Sequence, residues 1–201
     1  MDWKLVNIVK ETSHPFLNFY TLTYEVDKGS GKKEYRYFMA SRHDVKNLLV
    51  NSGNTSRPDG VILLLYKKDK EGNVSILMNK QFRPAIGRYV TSVPAGLMDQ
   101  EDSSIEETAR REAKEESGAI LKEVELLVAP GPTSEGLSDE LDCVILSEID
   151  HFESNRLEEY EDIDSGLVPL KRVKEMMNDP QYLFSLPLHC LLLYVFSRFE
   201  K

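Results

Sequence analysis

The sequence predicts an α/β protein that begins with a small antiparallel β extension. Three observations carry this expectation. Residues 61–66 form a near-continuous apolar run, as in a strand covered on both faces. Further strand-like segments flank a capped, glutamate-rich helical stretch between residues 103 and 118. The first fifty residues read instead as short strands joined by a turn.

Taken in order, Leu5–Thr12 and Phe16–Val26 are predicted strands. The second is rich in aromatic and β-branched residues. Residues 27–31 make a turn, and Glu34–Ala40 returns as a third strand, giving a meander over residues 1–50. Three strands alone bury little, so this piece must lean on something else. Trp3, Tyr20 and Phe38 can either fill its core or stack on a flat ligand. A Gly/Ser/Asn-rich linker opens the second part, residues 51–201. There Val61–Tyr66 and Val74–Phe82 are strands around a turn, and Val124–Ala129 and Leu141–Ile149 are two more. Residues 130–140 are a loop with three carboxylates, two prolines and two glycines. The acidic run Glu158–Asp164 reads as solvated loop, with a small allowance that it touches metal or substrate. Helices are predicted at 171–178 and 185–199, with Pro187 in the permissive first turn of the latter.

Composition narrows the function classes. A net charge of −9 argues against a general nucleic-acid surface. An anionic substrate would need local help from metal and arginine. The two cysteines, Cys143 and Cys190, show no paired spacing and fit reduced thiols, hence a cytoplasmic setting. The start lacks an apolar leader, and the longest apolar stretch, 186–196, is too short to span a bilayer, so no membrane role is expected. The four histidines have no ligand spacing, so a zinc site is not supported.

The chemistry concentrates at residues 94–118. A loop opens at Pro94-Ala95-Gly96. Ser103 or Ser104 is the N-cap of a helix, with Glu106 or Glu107 three residues on, and Gly118 is its stop. Glu112, Glu115 and Glu116 project from neighbouring positions of that helix. Like charges so placed repel, and a hard divalent cation that takes oxygen ligands turns the repulsion into binding.

This stretch resembles the Nudix box, Gly-x5-Glu-x7-Arg-Glu-U-x-Glu-Glu-x-Gly-U with U bulky and apolar. Its second half reads Arg111-Glu112-Ala113-Lys114-Glu115-Glu116-Ser117-Gly118-Ala119. The first half departs. Gly96 stands one residue further from Arg111 than the pattern allows, and Ser103 occupies the glutamate position. Asp102 or Glu101 can serve instead if the loop bulges. Gln81-Phe82-Arg83-Pro84 and Pro94-Ala95-Gly96-Leu97 resemble the ADP-ribose (ADP-sugar) pyrophosphatase branch, as does the Pro-Gly-x-Thr-Ser-Glu loop ending at Glu135.

The resemblance implies an α/β/α sandwich with a mixed sheet and hydrolysis of ADP-ribose, or a related ADP-sugar, to AMP and a sugar phosphate. It implies Mg²⁺, with Mn²⁺ as a substitute, held by Glu112, Glu115, Glu116 and the Ala95 carbonyl. Glu135 is the expected water-activating residue, with Glu140 as runner-up. Arg83, Gly96 and Leu97 are expected at the substrate, and Arg111 and Gly118 as structural support. The N-terminal extension is expected to pack against the partner subunit of a homodimer. Other nucleoside diphosphate substrates (a GDP-sugar, a dinucleotide) and a regulatory nucleotide-sugar-binding domain without catalysis are the alternatives.

Overall fold

The computed structural model describes residues 1–29 and 31–199. The chain divides into two compact units, Met1–Asp59 with Pro130–Asp142, and Gly60–Ala129 with Cys143–Lys201.

The first unit is built on a three-stranded antiparallel sheet, β1 (Asp2–Lys10), β2 (Asn18–Asp27) and β3 (Lys32–Ser41), in that order. Tyr24 sits opposite Tyr35, and Leu22 opposite Tyr37. A bulge between Leu5 and Asn7 shifts the register of β1. One face closes over Tyr20, Leu22, Met39 and Leu48, the last leading into a single turn of helix, α1 (Leu49–Ser52). Tyr20 is fully buried and its hydroxyl donates to the His43 carbonyl at 2.7 Å, so it is core and not a stacking platform. Trp3 and Phe38 stay about half exposed. The loop 133–140 is tied to this sheet, since the Ala40 N–H donates to the Leu137 carbonyl at 2.8 Å.

The second unit is organised by a mixed sheet with β10 (Ile163–Pro169), β5 (Val74–Arg83), β4 (Gly60–Lys68), β9 (Leu141–Phe152) and β8 (Ala119–Pro132) in that spatial order. Two short strands extend it: β6 (Arg88–Ser92) pairs with β5, and β7 (Ala95–Leu97) with β4. Alternate residues of the central strands feed two separate cores, as the period of two requires. Val61, Leu63 and Leu65 pack with Leu77, Cys143 and Ile145 against Ala109 and Ala113 of α2 (Ile105–Ser117). Leu64, Ile76 and Leu146 pack on the other side against α3 (Leu170–Met177) and α4 (Leu186–Phe199). Helices therefore cover both faces, and the domain is an α/β/α sandwich. The small Ala109 and Ala113 let α2 approach the sheet closely. No helix among the described residues is long and apolar enough to cross a membrane.

Candidate active site

The loop and helix at residues 94–118 are held from both ends. Ser104 is the N-cap of α2, its Oγ accepting from the Glu107 N–H at 3.1 Å. The Glu107 carboxylate returns to accept from the Ser103 N–H and hydroxyl at 2.8 and 2.6 Å. That exchange is the capping box, shared between two adjacent serines. At the far end Gly118 adopts φ +73°, and its N–H reaches the Lys114 carbonyl at 2.8 Å. A Cβ there would lie 2.1 Å from the Glu153 carbonyl oxygen, so both the turn and the neighbour demand glycine.

Arg111 ties helix to loop. Its guanidinium donates to Asp102 at 2.8 Å, Glu112 at 2.7 Å, Glu115 at 3.1 Å and the Leu97 carbonyl at 3.0 Å. Of the residues weighed for the missing loop glutamate, Asp102 is the one that turns inward. It is buried, and also accepts from the Asp99 N–H and the Thr108 hydroxyl, each at 2.9 Å. Hydrogen bonding from Arg111 holds its carboxyl down at about 2, against an ordinary 3.8.

The three helix glutamates part company. Glu115 is 48 % exposed and spent on Arg111. Glu112 lies against the loop so closely that a Cβ on Gly96 would come within 1.9 Å of its carboxyl carbon. Burial raises its pKa, and the neighbouring Arg111 offsets this only in part. Glu116 is 3 % exposed. One of its oxygens accepts from the Asn79 amide at 2.8 Å, and the Ala95 N–H also faces it. Burial pushes it up to about 8, with Asn79 lowering it and the charges of Glu112 and Glu161 raising it further. Glu161 also raises Glu112, so its charge is felt at both members of the pair. The strap carrying Glu161 is pinned by the Phe82 N–H to the Asp162 carbonyl and by Tyr89 to the Asp162 carboxylate at 2.6 Å.

Among the described residues the carboxylates do not form a ready three-ligand cage. The donor chemistry nevertheless fits a hard divalent ion. The oxygens are carboxylate or loop backbone, and Mg²⁺ keeps much of its water and needs only one or two carboxylates. A buried and a half-buried acid, both held above their ordinary range, are also what an added cation would relieve. Arg83 is exposed at the end of β5, before the tight turn at Pro84–Ile86, and Leu97 is exposed on the box loop. Glu135 and Glu140 belong to the other unit. The Glu135 carbonyl accepts from the Tyr37 hydroxyl at 3.2 Å, and the Glu140 carboxylate pairs with Arg42 at 3.3 Å. Sequence reasoning passed over Asn79 and largely discounted Glu161. The available signals were a polar residue continuing the apolar row of Leu77, and a glutamate just ahead of a short strand.

A glutamate-bearing loop–helix set on a sheet between helices defines a Nudix-type domain. The NUDIX domain family matches residues 56–185, and the chain belongs to that family. It is 37 % identical over 105 residues to an ADP-ribose pyrophosphatase of Bacillus subtilis, aligning 52 % of each chain. It is 36 % identical over 97 residues to an ADP-ribose pyrophosphatase of Saccharomyces cerevisiae, over 46 % of this chain and 39 % of that one. An uncharacterized Nudix hydrolase of Schizosaccharomyces pombe is 32 % identical over 100 residues, 48 % of this chain and 46 % of the other. The chain thus spans about half the length of these curated relatives. A crystal structure of an ADP compounds hydrolase superposes with TM-score 0.70 at 15 % identity, covering 98 % of this chain and 94 % of that one. The NUDIX domain of Shewanella oneidensis NrtR, complexed with ADP ribose, gives TM-score 0.52 at 16 % identity, covering 78 % and 93 %. Both structural likenesses speak to the fold alone.

Proposed function

We propose that the chain hydrolyses the diphosphate of ADP-ribose, or a related ADP-sugar, to AMP and a sugar phosphate, with Mg²⁺ or Mn²⁺. The observation that carries this is the pair of Glu112, half-buried against Gly96, and Glu116, buried beside Ala95 and pushed up to about 8. The substrate class rests on the two ADP-ribose pyrophosphatases among the relatives.

Glu112 and Glu116 would hold the ion, with the Ala95 carbonyl, and Glu115 would join by leaving Arg111. When bound, the ion supplies Lewis acidity toward the diphosphate oxygens. Arg83 would bind a phosphate oxygen by a charge-assisted hydrogen bond. Gly96 and Leu97 would form the loop floor under the substrate. In the reaction a water oxygen bonds to phosphorus, the bridging P–O bond breaks, and the water proton passes to a carboxylate. The family resemblance gives that proton to Glu135. The charge of Glu161 is felt at both Glu112 and Glu116, which supports Glu161 as the other candidate for that role.

The test measures AMP released from ADP-ribose with saturating Mg²⁺. Glu116→Gln should lower turnover at least about 100-fold, the upper end of what losing a mere supporting partner of a metal ligand costs. Whichever of Glu161→Gln and Glu135→Gln abolishes turnover with little change in ADP-ribose affinity marks the base. Wild-type turnover in Glu116→Gln would overturn the metal assignment. Tight binding of ADP-ribose without AMP release, in Mn²⁺ as in Mg²⁺, would make the chain a nucleotide-sugar-binding domain instead.

A further inference from the structure

Asn79 is a buried polar residue in a row that should be apolar. Along β5, Leu77 points into the core beneath α2, and Asn79 follows it on the same face at 2 % exposure. An amide in such a place costs stability unless both of its ends are satisfied. Both are. The Nδ2 group donates to Glu116 Oε2 at 2.8 Å, and Oδ1 accepts from the Ser165 hydroxyl at 2.7 Å. With Glu116 ionised, as a ligand of a cation is, its carboxylate can only accept, so the amide nitrogen faces it and the hydroxyl donates to the amide oxygen. Ser165 is the cross-strand neighbour of Asn79 in β10, so the sheet itself sets their spacing. Ser165 Oγ also lies 3.3 Å from the backbone carbonyl of Glu116, as does Asn155 Nδ2. Side chain and backbone of Glu116 are thus gripped from the sheet and from the strap after β9.

We propose that Asn79, itself aligned by Ser165, is a positioning residue that occupies one oxygen of Glu116 and turns the other toward a divalent ion held at the Glu112–Glu116 pair. The inference rests on the proposed metal-dependent reading of that pair. An aliphatic residue at 79 would simply continue the Leu77 row and pack. What the amide adds over an aliphatic side chain is the bond to Glu116, with its other end held across the sheet by Ser165. Ser165 reaches Glu116's carboxylate through Asn79 and touches its backbone only by the longer 3.3 Å contact, so most of its effect should be shared with Asn79.

The experiment uses the whole chain without substrate and titrates Mn²⁺, counting free ion by electron paramagnetic resonance, alongside thermal unfolding. Asn79→Leu should weaken Mn²⁺ binding roughly 10- to 100-fold, as loss of an outer partner does, while the chain still unfolds cooperatively. In assays the metal concentration for half-maximal rate should rise by the same factor, and kcat at saturating metal should stay within a few-fold of wild type. Ser165→Ala should weaken binding less, and adding it to Asn79→Leu should cost less than it does in the wild-type background. If Asn79→Leu binds Mn²⁺ as wild type does while Glu116→Gln does not, the positioning role is overturned and the metal site stands. Should Glu116→Gln itself bind Mn²⁺ like wild type, the metal assignment fails and takes this role with it. Additive losses in the double variant would overturn the coupling to Ser165.

Discussion

Gly96 shows how much of the site depends on a missing side chain. The Glu112 carboxyl occupies the space where a Cβ on residue 96 would stand, 1.9 Å away. Gly96→Ala must therefore push something aside, and the yielding partner is the end of a flexible side chain, not backbone. The fold should absorb the change at under about 1 kcal/mol, because no core contact is lost. The site should not, because the displaced carboxylate is one of the two that face the loop. Turnover on ADP-ribose is expected to fall at least about tenfold, in the range seen when a ligand's support is removed, with a midpoint of thermal unfolding close to wild type. Equal losses of stability and turnover would mean that the glycine serves the fold alone.

At the scale of elements, α2 was the most legible part of the chain, and the strap before β10 the least. The caps of α2 are written locally: two serines, a glutamate three residues on and a glycine stop leave the backbone little choice. β10 reads Ile-Asp-Ser-Gly-Leu-Val-Pro, with three poor strand formers, yet pairs with β5 over seven residues from Ile163 to Pro169. Its structure comes from the β5 edge it covers, which local propensity does not encode. The acidic run at Glu158–Asp164 reads as solvated loop for that reason, since nothing local shows that the strand after it docks beside the box helix. The extra residue in the box loop was legible as a departure, and its consequence was not: Asp102, inside the bulge, carries the contact with Arg111. This brace between loop and helix predicts a pH signature. The folded pKa of Asp102 is about 2 and its ordinary value 3.8. The stabilisation is therefore full above pH 3.8 and lost as pH falls through about 2. It is on the order of 2 kcal/mol at neutral pH. Asp102→Asn should lower stability by about that much near pH 7 and converge on wild type near pH 2, as read from urea unfolding across the range. A constant offset between the two proteins at every pH would refute the ionic origin of the brace.

For the molecule as a whole, the N-terminal sheet poses the remaining physical question, what its second face is for. One face closes over Tyr20, Leu22 and Met39, and the alternation of the strands sends Phe19 and Phe38 to the other. Their rings stack at 6.2 Å, nearly parallel, at 42 % and 55 % exposure. Val9, opposite Thr21 as Phe38 is, adds a third exposed apolar side chain to that face. Three strands with a single small core are marginal by themselves, and an aromatic pair left about half exposed withholds much of its apolar area from burial. A second copy of the chain laid on this face would bury the pair and give the extension the support it lacks, which is the homodimer expected from the resemblance. Phe38→Asp places a charge at the centre of the patch while leaving Tyr20 and Met39 untouched. Light scattering after size-exclusion chromatography should give a dimer for the wild type and a monomer for Phe38→Asp at micromolar concentration. A wild type that runs as a monomer across the same range, or a variant that stays dimeric, would remove this face from the assembly.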